Sequence, residues 1–164
     1  MLPLILNPTK VRVGLAGQGP SLERRRAMLA EAGIEPRAIQ SDQADLTGLQ
    51  CLYVAGLDAK TAQRLSRRAK AAGVLVNVED QPALCDFHVP AQVRRGDLLL
   101  TVSSAGRSPA LVKLVREWLS QRFGGEWGAR LDDLGRRREA WKAQSVPMSE
   151  ISRKTRAIAS AWLP

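Results

Sequence analysis

The chain has 164 residues, 45% apolar and 25% charged, a profile that fits one folded α/β domain with a small appendage and excludes wholesale disorder. No apolar run approaches the roughly 20 residues a membrane span needs. The opening Met1-Leu2-Pro3-Leu4-Ile5-Leu6 is too short and has no basic start for a secretory leader, so a cytoplasmic protein is expected. The formal charge of +9 is uneven: residues 1–93 hold 11 Lys/Arg against 9 Asp/Glu, and residues 94–164 hold 14 against 7. A basic second half calls for an anionic partner. None of the few aromatics interleaves with the basic runs as a base-stacking surface would require, so nucleic acid has charge alone in its favour and is not expected.

In chain order, Val11–Ala16 reads as a short buried strand, followed by the turn Gly17-Gln18-Gly19-Pro20 and a helix from about Ser21 to Ala32 that stops at Gly33. Residues 34–48 are polar and irregular. Cys51–Ala55 is a second strand, and Asp58 is placed to cap a helix that carries Ala62, Leu65, Ala69 and Ala72 on one face. Gly73 closes that helix and Val74–Val78 follows as a strand. This alternation predicts right-handed βαβ units and a parallel sheet. Leu98–Val102 is a further strand. Ser108 as cap with Pro109 behind it starts a helix whose apolar face holds Leu111, Leu114, Val115, Trp118 and Leu119. After Gly124-Gly125 the chain is helical and basic, with Trp127, Leu131, Leu134 and Trp141 on one segment and Ile151, Ile158 and Trp162 on a last one beyond Pro147.

Two motifs bear on chemistry. A strand, a Gly17-x-Gly19 turn and a helix start is the layout that cradles a dinucleotide diphosphate, because glycine lets backbone approach the phosphates and the free helix N–H groups carry partial positive charge. The match is partial, since Leu22 stands at the third glycine and no acidic residue ends a well-formed second strand. A tight strand-to-helix turn without a ligand would read the same way. Cys51, Cys85 and the single histidine His88 cannot build a Cys/His zinc cage, so no metal site is expected. Any histidine-based triad would have to run through His88 alone.

A much more specific pattern lies in Val76-Asn77-Val78-Glu79-Asp80-Gln81-Pro82-Ala83-Leu84-Cys85-Asp86-Phe87-His88-Val89-Pro90-Ala91 and in Arg94-Arg95-Gly96-Asp97-Leu98 through Ser103-Ser104-Ala105-Gly106-Arg107-Ser108-Pro109-Ala110. In register, these resemble the precorrin-2 dehydrogenase and sirohydrochlorin ferrochelatase family, the amino-terminal module of siroheme synthases. The resemblance implies a Rossmann-like parallel sheet followed by a dimerisation segment and a small helical domain. The corresponding boundaries are 1–89 (shortened), 90–123 and 124–164.

The family dehydrogenates precorrin-2 to sirohydrochlorin with NAD⁺, and some members also insert Fe²⁺. The resemblance places Asp80 on the aspartate implicated in the chemistry. It puts Gly17, Gln18, Gly19, Pro20, Ser21, Gly56, Asn77 and Val78 on the cofactor side. Ser103, Ser104, Gly106, Arg107, Ser108 and Pro109, with Arg94 and Arg95, fall on the substrate side, and His88 falls beside the pocket as a structural neighbour. A basic surface suits this substrate, a macrocycle ringed with carboxylates, and arginine can grip carboxylates in pairs of hydrogen bonds; Lys113 and Arg116 are further candidates. On residue type alone, Asp80 could equally be a turn or cap residue before Pro82.

The sequence departs from the family on the nucleotide side. Its three glycines are Gly17-Gln18-Gly19 here, its cofactor-side strand end reads Val54-Ala55-Gly56-Leu57-Asp58, and much of its second strand is missing around 34–45. Two readings follow: an NAD-dependent homodimeric oxidoreductase, or a relict that holds the tetrapyrrole without NAD-dependent activity.

Overall fold

The structure is a computed structural model that describes residues 2–163. The chain divides into two compact units, with the boundary between Val89 and Pro90.

The first unit is α/β. Strands β1 (Val13–Gly17), β2 (Arg37–Ile39), β3 (Cys51–Ala55) and β4 (Leu75–Val78) form one parallel sheet in the order β2-β1-β3-β4. Helix α1 (Gly19–Glu31) joins β1 to β2, and α2 (Ala59–Ala71) joins β3 to β4. All five β3 residues are buried, as a central strand covered on both faces must be. Side chains alternate across a strand, so Cys51 and Tyr53 pack with Val13, Leu15 and Leu29 on one side. Leu52 and Val54 pack with Leu65, Ala69 and Val76 on the other.

The expected parallel sheet is therefore present, with three adjustments. Helix α1 begins at Gly19 rather than near Ser21, because Pro20 is accommodated within the first turn, where no amide hydrogen is needed. The second strand, expected to be largely missing, survives as the three residues of β2, paired with β1 from Gly14↔Arg37 to Ala16↔Ile39. The 98–102 strand does not extend the parallel sheet. It is β6 (Leu98–Val102), paired antiparallel with β5 (Ala91–Arg95), a strand the hydropathy pattern does not announce because only Val93 is buried along it.

The second unit holds this hairpin with α3 (Pro109–Arg122), α4 (Glu126–Ala143) and α5 (Met148–Ser160). Arg95 ties the hairpin to the end of α3: its guanidinium donates to the Ser120 carbonyl at 3.0 Å, the Ser120 hydroxyl at 3.0 Å and the Phe123 carbonyl at 2.7 Å. Those carbonyls belong to the helix terminus that lacks internal partners, so a cation is well placed there. Arg130 lies over the rings of Trp127 and Trp162, closing α4 onto the chain end. The sequence-predicted face of α3 is not a core face throughout. Val115 and Leu119 are half-buried, but Leu111, Leu114 and Trp118 are 54, 64 and 60% exposed.

Candidate functional site

In an open parallel sheet the crevice for a ligand opens beyond the carboxyl ends of the strands, where successive connections leave in opposite directions. In the order β2-β1-β3-β4 that point lies between β1 and β3. The register aligns Gly17 with Ala55 and Val54 with Val78, so the turns after β1, β3 and β4 share one edge of the sheet.

Two glycines there serve packing. A Cβ on Gly17 would overlap the Ala55 carbonyl, and one on Gly56 would overlap the carbonyl of Gln18. Close approach of these turns lets the Gln18 N–H donate to Ala55 O at 3.2 Å. Gly19 is different. With φ +67° and nothing within 4 Å of the position a Cβ would take, it faces open space. Behind it α1 starts with no side-chain cap and no acidic residue in its first turn. By contrast, Asp58 caps α2 by accepting from the Lys60 and Thr61 amides at 3.0 Å, and Ser108 caps α3. An uncapped helix start with an open glycine fits a dinucleotide diphosphate, whose oxygens would complete the free amides of α1.

Ser21 and Arg24 line the same end. Arg24 Nη2 donates to the Ser21 hydroxyl at 2.7 Å and lies 3.6 Å from the Glu79 carboxylate. Glu79 follows β4 directly, and its N–H donates to Val54 O at 2.9 Å. This ion pair was not anticipated from sequence, because its members lie 55 positions apart. Beyond β2 the chain offers exposed Gln40 and then Asp42. Asp42 is engaged by Arg64, which holds its carboxyl below the usual carboxylate range.

Asp80 sits in the turn after β4 with φ +59°, the left-handed region that side-chain-bearing residues seldom occupy. It is exposed, and its carboxylate takes part in no hydrogen bond or ion pair among the described residues. Asn77 is 6% exposed and faces inward: Nδ2 donates to Phe87 O at 3.0 Å and approaches Cys85 Sγ at 3.7 Å. Val78 is likewise buried and bonded to Cys85.

In the second unit, the candidate serines form a compact loop. Ser103 Oγ accepts from the Ala105 N–H at 3.3 Å, Ser104 Oγ from the Ser108 N–H at 3.0 Å, and Ser108 Oγ from the Leu111 N–H at 3.4 Å. Each hydroxyl accepts here, so each keeps its own O–H for donation. Ala105 and Gly106 both have positive φ and bend the loop toward Arg107, which is exposed. Arg94 Nε is buried without a partner among the described residues, whereas Arg95 is committed to the α3 terminus. Among the described residues no three His, Cys, Asp or Glu side chains cluster as a metal site.

A sequence family described as "Putative NAD(P)-binding" matches residues 34–91, from just before β2 to the start of β5. The siroheme synthase of Azotobacter vinelandii is 33% identical over 168 residues, covering 89% of this chain and 36% of that protein. The siroheme synthase of Methylobacillus flagellatus is 41% identical over 88 residues, covering 54% of this chain and 19% of that protein. The chain thus spans about a third of the length of the first of these relatives. A solved structure described as SirC, precorrin-2 dehydrogenase, superposes with a TM-score of 0.76 at 21% identity, covering 96% of this chain and 89% of that one. That likeness shows the Rossmann-like fold. Over most of its length the chain is thus similar to part of the siroheme synthases.

Proposed function

We propose that this chain binds NAD⁺ across the β1–β3 crevice and dehydrogenates precorrin-2 to sirohydrochlorin, acting as a homodimer. The observation that carries the reading is the pairing of an open, uncapped α1 start at Gly19 with an exposed carboxylate, Asp80, that has no partner among the described residues, on one edge of the sheet.

Bound NAD⁺ supplies the hydride acceptor. The free amides at the start of α1 and the Ser21 hydroxyl are the groups that would hold its diphosphate, and Arg24 adds positive charge beside them. Removing a hydride and a proton from the macrocycle leaves the protein to position the rings and take up the proton. An exposed carboxylate with no internal partner can accept that proton or orient the ring that gives it up, the part assigned to Asp80. The O–H groups of Ser103, Ser104 and Ser108, with the exposed guanidinium of Arg107, are donors suited to substrate carboxylates. The exposed Leu111, Leu114 and Trp118 recur at helical spacing on α3 and supply an apolar surface for a second copy of the chain. Both cysteines are free thiols, in keeping with work in the reducing cytoplasm.

One observation favours the alternative of tetrapyrrole binding without NAD-dependent activity: β2 is only three residues long, and the acid beyond it, Asp42, is held by Arg64 rather than left for a ribose. A single assay separates the two. Precorrin-2 with NAD⁺ should yield the sirohydrochlorin absorption spectrum, and Asp80→Ala should abolish it. Tight sirohydrochlorin binding with no NAD⁺-dependent spectral change would select the relict.

A further inference from the structure

Asp80 is the residue assigned the chemistry, yet among the described residues no hydrogen bond or ion pair holds its carboxylate, so its placement depends on the backbone that carries it. That backbone is the turn Val78–Gln81, closed by the Gln81 N–H donating to Val78 O at 3.3 Å. One side chain reaches both ends of the turn. Cys85 Sγ accepts from the Val78 N–H at 3.2 Å, and its S–H has two acceptors in reach, Val78 O at 3.2 Å and Gln81 O at 3.4 Å. From behind, buried Asn77 approaches the same sulfur and donates to Phe87 O.

The segment that delivers Cys85 is itself anchored. The Ser66 hydroxyl, 1% exposed, donates to Leu84 O at 3.1 Å. The Asp86 N–H donates to Val76 O at 2.7 Å, while Asp86 Oδ2 accepts from the Val76 N–H at 3.0 Å. Cys85 is therefore fixed from α2 and from β4, and holds the turn from inside.

We infer that Cys85, backed by Asn77, is a positioning residue for Asp80: its thiol braces the turn that keeps the aspartate in its left-handed conformation, aimed outward from the carboxyl edge of the sheet. The role rests on the dehydrogenase reading above. Left-handed backbone at a non-glycine residue persists only where the surroundings hold it, and Cys85 is the side chain that touches the turn's two ends. A thiol suits the position because sulfur's longer bonds and larger radius let one atom span contacts of 3.2–3.4 Å to three backbone groups.

The test is a double-mutant cycle on the intact chain, with amide exchange beside turnover. Cys85→Ala should lower kcat for NAD⁺-dependent precorrin-2 oxidation about tenfold with KM for NAD⁺ within about twofold, the mark of a lost geometry rather than lost binding. Cys85→Ser, which keeps a donor and acceptor, should recover most of the rate. In an Asp80→Asn background, Cys85→Ala should cause no further loss. The Gln81 amide should exchange faster in Cys85→Ala and return toward the wild-type rate in Cys85→Ser. Unchanged exchange, or losses that multiply in the double variant, would overturn the brace. An active wild type with unchanged kcat in Cys85→Ala would overturn the positioning role alone. An inactive wild type would overturn the functional reading, with exchange at Gln81 still deciding whether Cys85 holds the turn.

Discussion

The Gln18 amide and the Ala55 carbonyl meet at 3.2 Å because Gly17 and Gly56 have no side chains to hold their turns apart. This contact seals the base of the crevice and leaves Gly19, two residues on, facing open space. Two glycines of one short motif thus do different work. Gly17→Ala should destabilise the chain by more than about 2 kcal/mol, since a Cβ would enter the Ala55 carbonyl. Gly19→Ala should lose only about 1 kcal/mol from its positive φ, yet remove most of the thermal stabilisation given by millimolar NAD⁺. Melting curves of both variants with and without NAD⁺ check this. An unaltered NAD⁺ shift in Gly19→Ala would count against a diphosphate at that turn.

Asp80 trades backbone comfort for a carboxylate. Asp80→Gly relieves the left-handed strain, so the variant should match or exceed wild-type stability, by up to about 1 kcal/mol, while losing NAD⁺-dependent oxidation. Urea titrations and the sirohydrochlorin assay on the same preparation test both halves.

The Leu111, Leu114 and Trp118 stripe on α3 predicts its own disruption. Leu114→Glu should convert a dimer to a monomer in light scattering, leaving the circular dichroism spectrum unchanged because the side chain is exposed within the chain. A wild type that is monomeric at high micromolar concentration would remove the homodimer.

Asp58 makes the stability of α2 sensitive to acid. Its hydrogen bonds with Thr61, above all, hold its carboxyl below the ordinary value of 3.8. The folded state therefore binds the proton less readily than the unfolded chain. Its stabilisation is complete above that value and is lost as pH falls through the lower folded one. Asp58→Asn keeps a capping oxygen without the titration, so its urea midpoint should fall less between pH 5 and pH 3 than the wild type's.

Alkali acts with the opposite sign. Burial raises the Cys51 thiol above its ordinary 9.0 and the Tyr53 hydroxyl above its ordinary 10.0, the latter also through Cys51. The unfolded chain gives up these protons first, so stability falls as pH climbs past 9 and then 10 toward the folded values. Tyr53→Phe should flatten the later part of that decline in denaturant midpoints measured from pH 8 to pH 11.

Much of this protein is local chemistry and was legible in order along the chain. The strand-helix alternation follows from runs such as Cys51–Ala55 and from Asp58 and Ser108, whose short oxygens can reach only the amides just ahead of them. The motifs from Asn77 to Pro109 pointed to the siroheme synthases that the chain resembles. What needed tertiary structure was the choice of partner for groups with several possible ones. Gly17 serves Ala55, Asn77 turns inward to Phe87 and Cys85, Arg95 holds the end of α3, and the apolar stripe on that helix stays exposed. Each outcome depends on residues distant in sequence. An amide or guanidinium satisfies its hydrogen bonds with whatever the fold brings within 3 Å, and neither residue type nor spacing carries that information.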